Sequence, residues 1–168
     1  RLEALEAAIR KAARHDLVVF SGGSSVGEKD MIIDVLRAMG EVRFHGVAVK
    51  PGKPTVLGVV GGRAVLGMPG YPTSCLSNCY MMLVPMLRTM ARLPPAPEKV
   101  VELPLSKRLV SAIGRVEFHT VRVRDGTAVP AYKESGAITS MAHADGYIEI
   151  PANVDLLEKG ERVRVRLF

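Results

Sequence analysis

Hydroxyls, glycines and charged side chains crowd into three short stretches of this chain. The first, Ser21-Gly22-Gly23-Ser24-Ser25-Val26-Gly27-Glu28-Lys29-Asp30, follows the apolar run Leu17-Val18-Val19-Phe20. Glycine admits backbone angles closed to other residues, so such a loop can turn several main-chain N–H groups onto one anion. Its serines have no histidine nearby in sequence to activate them, and hydroxyls in such a loop donate hydrogen bonds to phosphate more readily than they act as nucleophiles. The second stretch, Lys50-Pro51-Gly52-Lys53-Pro54, carries two ammonium groups on a segment that its prolines hold extended, so that both can face one rim. The third, Gly67-Met68-Pro69-Gly70-Tyr71-Pro72-Thr73-Ser74, ends where Pro72 suits the first turn of a helix, with Thr73 and Ser74 beside its exposed N–H groups. Taken singly, the first stretch also fits a tight turn, and the second a pair of solvated lysines. Three such loops, each at the end of an apolar run, point to one rim that receives a polyanion.

Hydrophobic periodicity predicts the elements that position these loops. Leu17–Phe20 lacks polar alternation, which predicts a buried strand in a parallel sheet with helices over both faces. A helix starting near Asp30 would use Met31, Ile32, Val35, Leu36 and Met39 as its apolar face and Gly40 as its C-cap. The first loop would then join the carboxyl end of a strand to the amino end of a helix, where phosphate is favoured. An amphipathic helix over residues 1–14, with Leu2, Leu5, Ile9 and Ala12 on one face, precedes the strand. Val42–Val49 predicts the next strand, and Thr55–Val60, Gly61-Gly62 and Arg63–Met68 predict a hairpin. A long helix from Pro72 to about Leu93 is expected to bury Cys75, Leu76, Cys79, Met82, Leu83, Met86, Leu87 and Met90 and to kink at Pro85. A methionine-rich stripe of this kind can instead form a partner surface.

Prolines at 94, 95 and 97 stop that helix and predict a linker over 94–97, between an α/β domain (1–93) and a second domain (98–168). Beyond the linker the texture changes to short alternating segments: Val100–Leu105, Val116–Arg124, Ala128–Tyr132, Gly146–Ile150 and Arg162–Leu167. These predict a small β-barrel or sandwich. The expected fold is therefore α/β, a three-layer parallel-type sheet with helices on both faces, followed by a small C-terminal β-barrel. A helix before the first strand of a parallel sheet normally follows an earlier strand, and no initiator methionine is present, so the chain is expected to be the C-terminal part of a longer protein.

The 168 residues are 48% hydrophobic, enough to bury a substantial core. No run reaches the roughly 18 to 20 apolar residues that span a bilayer, and the N-terminus lacks a signal-peptide core, so no membrane partner and a cytoplasmic location are expected. The net charge of +6 raises nucleic acid as a partner, but the excess is local. Residues 1–97 carry 12 basic against 7 acidic side chains and residues 98–168 carry 11 against 10, so the positive charge lies with the glycine loops. That suits a small polyanionic ligand and no nucleic acid. Single-stranded nucleic acid on the second domain would need aromatics on a basic face, and Phe118, Tyr132 and Tyr147 are few. Cys75 and Cys79 are read as reduced thiols. His15, His45, His119 and His143 show no metal-ligand spacing and are assigned no chemistry.

The pieces SGGSSVGEKD, VKPGKP and GMPGYPTS, in this order, resemble the molybdenum insertases of molybdenum cofactor synthesis, the MoeA and gephyrin E-domain family. Ser135–Met141 and Gly146–Pro151 look like the family's C-terminal barrel. The resemblance implies a molybdopterin-binding domain and a reaction in which molybdate is transferred to adenylated molybdopterin, with release of AMP and assistance from magnesium. It implies Asp30, Lys50 and Lys53 as catalytic residues, with Asp30 holding Mg2+. Ser21, Gly22, Gly23, Ser24, Ser25, Gly27, Pro51, Gly52, Pro69, Gly70, Pro72 and Ser74 are the implied substrate-binding residues. Asp30 could also cap its helix, and one carboxylate can serve both ends. Tyr71 departs from the Pro-Gly-Asn-Pro that family members commonly show, with a phenol in place of the amide. The family also implies a homodimer and two further N-terminal domains. A molybdopterin adenylyltransferase, or a non-catalytic molybdopterin-binding scaffold, are the alternatives; the former typically carry a Thr-Gly-Gly-Thr loop and no barrel tail.

Overall fold

The structure, a computed structural model, describes residues 2–22, 29–131 and 139–168; the side chains of residues 29–31 and 139 lie outside that description. To Tyr71 the elements are α1 (Leu2–Ala12), β1 (Leu17–Ser21), α2 (Lys29–Met39), β2 (Gly40–His45), β3 (Val49–Lys50), β4 (Val56–Val60) and β5 (Arg63–Met68). The chain divides into two compact units, one running to Val47 and resuming over Gly52–Tyr71, the other comprising Ala48–Pro51 and Pro72–Phe168.

In the first unit the strand order is β1-β5-β4-β2. Leu17 to Ser21 pair in parallel with Ala64 to Met68. The hairpin forms as expected: Gly61 and Gly62 take φ of 57° and 76°, and β4 runs antiparallel to β5. A turn of two residues can join only antiparallel neighbours, and β2 is also antiparallel to β4, so the expected parallel-type sheet is mixed. Ile9 of α1 and Ile32, Ile33, Val35 and Leu36 of α2 pack with Val18, Val56, Val60 and Val65 into one core. β1 is therefore not buried on both faces: Val18 is 8% exposed, while Val19, pointing the other way, is 44% exposed.

Two expected boundaries move. Gly40 is not a left-handed C-cap but the first residue of β2, where a Cβ would collide with the Val59 carbonyl, so close strand approach rather than backbone angle demands glycine there. The strand expected over Val42–Val49 breaks at Gly46, whose φ of 87° turns the chain. Gly46 N–H donates to the Thr55 carbonyl at 2.7 Å and Val47 N–H to the Lys53 carbonyl at 3.0 Å, and β3 then joins the second unit.

The second unit starts with α3 (Pro72–Asn78), a π-helical turn (Cys79–Leu83) and α4 (Val84–Met90), together one helix over most of the expected span. Pro85 has no N–H for the carbonyl four residues back, and the wider turn before it absorbs the mismatch: Val84 N–H reaches the Cys79 carbonyl instead. The stripe expected to be core is not. No residue from Cys79 to Met90 is buried, and Leu76, Leu87 and Met90 are 41–44% exposed, because the buried side of α3 is the polar one, carrying Thr73, Ser74, Ser77 and Asn78.

The remaining elements are β6 (Val100–Pro104), β7 (Leu109–Val110), β8 (Val116–Arg124), β9 (Thr127–Pro130), α5 (Thr139–Ala142), β10 (Gly146–Ile150), β11 (Leu156–Leu157) and β12 (Arg162–Leu167). One sheet runs β3-β8-β10-β12-β6 with β9 on β8, and β7 pairs with β11 apart from it. Among the described residues the ladder path ends at β3 and β6 without closing, and beyond β6 an isolated parallel bridge pairs Leu105 with Ala128 of β9, Ser106 N–H donating to the Ala128 carbonyl at 2.9 Å. Leu105, Val121, Ala128, Ile148, Ile150, Val163 and Val165 form its core. No helix among the described residues is long and apolar enough to cross a membrane.

Gly67, the first residue of the third stretch, still lies in β5, and a Cβ there would drive into the side chains of Phe20 and Val56. Gly67→Ala should lose about 1–3 kcal/mol of stability by overpacking, read as a lower urea midpoint at unchanged slope.

Candidate substrate-binding site

The register of the first sheet brings the ends of its strands together. Ser21, the last residue of β1, lies opposite Met68, the last residue of β5, and Val56, the first residue of β4, lies opposite Gly67. The exits toward Gly22 and toward Pro69-Gly70 and the entry from Lys53 thus share one end of the sheet, although the three loops are separated in sequence. At the opposite end Arg63 Nη1 bonds Asp16 Oδ1 at 2.8 Å, tying the starts of the two parallel strands. Both side chains are exposed, so this pair contributes at most about 1 kcal/mol.

The implied site residues fall into different situations. Ser21 is exposed, and Gly22 has φ of 87°, a backbone state that β-carbon-bearing residues avoid. Gly23, Ser24, Ser25 and Gly27 lie outside the described residues; the Asp30 backbone stands in the first turn of α2, its carboxylate outside the description. Pro51 and Gly52 are buried, Gly52 at φ 116°, and Lys53 is exposed. Thr55 stiffens this turn, its hydroxyl donating to the Gly52 carbonyl at 2.8 Å and its N–H to the Lys53 carbonyl at 2.8 Å. Pro69 is buried, Gly70 and Tyr71 are exposed, and in the second unit Pro72 is exposed and Ser74 buried. Among the described residues no group of three or more His, Cys, Asp or Glu comes together.

The two lysines part company. Lys50 ends β3 in the second unit, where its Nζ lies 3.4 and 3.5 Å from the two carboxylate oxygens of Glu117. Sequence reasoning missed this partner. Its signal is a lone glutamate in an apolar strand, Val116-Glu117-Phe118, with His119 on the same face. Glu117 is 2% exposed. Burial works to raise its pKa, but hydrogen bonds from His119 and Ser111, the Lys50 charge and the Ala112 N–H outweigh burial and lower it from 4.5 to about 2. Ser111 Oγ and Ala112 N donate to Oε2 at 3.0 and 3.3 Å, and His119 Nδ1 lies 3.6 Å from Oε1.

Comparison with known proteins bears on this arrangement. The family described as "Probable molybdopterin binding domain" matches residues 1–89, and the one described as "MoeA C-terminal region (domain IV)" matches residues 102–168. The chain belongs to the MoeA family. A Methanocaldococcus jannaschii protein named for molybdopterin biosynthesis is 35% identical over 99% of this chain and 40% of its own length. The molybdopterin molybdenumtransferase of Staphylococcus aureus strain COL is 27% identical over 92% of this chain and 38% of its own. The crystal structure of a molybdopterin biosynthesis MoeA protein from Pyrococcus horikosii superposes at a TM-score of 0.80 with 44% identity, covering 98% of this chain and 40% of that one. The chain thus spans about two-fifths of the MoeA relatives it matches.

A carboxylate whose pKa is depressed in the folded state stabilises the fold above its unfolded pKa, and that stability is lost as pH falls toward the folded value. Wild-type protein should therefore lose on the order of 2–3 kcal/mol between pH 4.5 and about 2 through Glu117. Chemical denaturation across this window should show a shallower acid loss in Glu117→Gln, which starts out less stable at neutral pH.

Proposed function

We propose that the intact protein is a molybdopterin molybdenumtransferase: it binds adenylated molybdopterin, places molybdate at the dithiolene sulfurs and releases AMP by hydrolysis of the adenylate. The observation that carries this reading is the shared sheet end, where Ser21 at the exit of β1 is in register with Met68 at the exit of β5 and Val56 at the entry of β4 lies opposite Gly67. Open carboxyl ends of parallel strands are where phosphate-bearing ligands sit in such sheets. In this reading Ser21, Gly22, Gly23, Ser24, Ser25 and Gly27 cradle phosphate with N–H and hydroxyl donors. Pro51, Gly52, Pro69, Gly70, Pro72 and Ser74 shape the pocket, and Lys50, Lys53 and Asp30 are the charged groups at the chemistry.

Mg2+ belongs to the same reading. One carboxylate, Asp30, at the start of α2 suits an ion that keeps most of its waters and takes its remaining oxygens from substrate phosphate. When bound it would neutralise phosphate charge. The domain limits that accompany the reading are 1–93, a linker at 94–97 and 98–168 closing as a small β-barrel, supported by family matches on either side of the prolines. The match over 102–168 weighs against the adenylyltransferase alternative, whose members typically lack such a tail. A cytoplasmic homodimer acting on a small polyanion, with neither nucleic acid nor membrane as partner, completes the proposal.

Asp30→Asn separates metal binding from helix capping, because asparagine still caps but carries no charge. In the full-length protein it should fold normally, retain nucleotide binding and reduce molybdate transfer by at least about tenfold at limiting magnesium. Near-normal turnover throughout a magnesium titration would make Asp30 a cap alone.

A further inference from the structure

The pairing of Lys50 with Glu117 has a backbone basis. β3 runs parallel to β8 with Val49 opposite Val116 and Lys50 opposite Glu117, and Val116 N–H donates to the Ala48 carbonyl at 2.9 Å. Side chains of paired residues leave a sheet on the same face, so the ladder itself sets the ammonium beside the carboxylate. The carboxylate cannot move outward to follow the lysine. Its oxygens are held from within by Ser111 Oγ at 3.0 Å and Ala112 N at 3.3 Å, with His119 Nδ1 at 3.6 Å, and the side chain is 2% exposed. The Lys50 side chain is 35% exposed. An ammonium has three donors, so one held from the inner side keeps donor capacity for an anion outside.

We propose that Glu117 is a positioning residue for Lys50: anchored in the second unit's sheet, it fixes the ammonium from the interior so that the cation meets the substrate's phosphate in one arrangement. The inference rests on the reading of Lys50 as a substrate-facing cation. Two effects of the carboxylate oppose each other. Its negative charge weakens the local attraction for an anion, whereas its grip removes the rotamer freedom that a loose lysine would lose on binding. The site is partly open to solvent, which screens the first effect, and the lysine side chain is among the most flexible, which enlarges the second. Ordering dominates.

The test is calorimetric titration of AMP into the full chain, with melting curves recorded for each variant. Lys50→Met should weaken AMP binding by about tenfold, the scale of one charge-assisted contact. Glu117→Gln should weaken it by roughly three- to tenfold despite removing a negative charge, and the double variant should bind no more weakly than Lys50→Met, since both changes remove one interaction. An inert Lys50→Met would defeat the reading of Lys50 itself. A weakened Lys50→Met beside a folded Glu117→Gln with unchanged or tighter binding would leave that reading standing and overturn the positioning role, as would additive losses in the double variant. Should Glu117→Gln fail to fold, Ser111→Ala, which keeps both charges and loosens the carboxylate, should weaken AMP about twofold; unchanged affinity in Ser111→Ala would overturn the inference.

Discussion

The parallel ladder between β1 and β5 is the constraint on which the proposed site depends. Because Ser21 is in register with Met68, the first and third loops must leave the sheet side by side, whatever their own sequences. The glycine hairpin adds the second loop: β4 is antiparallel to β5, so its first residue meets β5 near that strand's last. Slipping either pairing by one residue would reverse every side chain on the moved strand and withdraw Val18, Val56 or Val65 from the core shared with α1 and α2. Core burial thus fixes the register, and the register fixes where the chain leaves and enters the sheet.

A second constraint acts on the short segment between Gly46 and Gly52. Residues 48–51 leave the first unit and lend a strand to the second, and then the chain returns. A buried glutamate beside that strand is costly unless its charge is met, and here it is met by a hydroxyl, a main-chain N–H, a histidine and the lysine. The consequence is a difference between two lysines three residues apart. Lys50 is partly enclosed beside the buried Glu117 carboxylate, while Lys53 is exposed.

Much of this was legible in the sequence because local chemistry decides it. The Gly61-Gly62 turn, the strands Val116–Arg124, Gly146–Ile150 and Arg162–Leu167 and the amphipathic helices follow from turn residues and periodicity. What was not legible is what depends on a partner distant in sequence. Leu17–Phe20 reads as a strand buried on both faces, yet Val19 stands exposed. The methionine-rich stripe of the long helix reads as core, although the small polar residues of its first turns are the buried ones. The two-residue strands β7 and β11 carry too little pattern to be read, and β3 is a strand only because β8 lies beside it. The resemblance was carried by loops whose composition is local. The pairing of Glu117 with Lys50 needs the sheet, because the two lie 67 residues apart.

The central claim, that three sequence-distant loops at one sheet end form a single phosphate site, is tested most directly by a crystal structure of the full-length protein soaked with AMP. The phosphate should lie within hydrogen-bond reach of the Ser21-Gly22 segment and of the Gly52-Lys53 turn, beside Pro69-Gly70. An ordered AMP bound elsewhere, with all three segments out of reach of its phosphate, would contradict it.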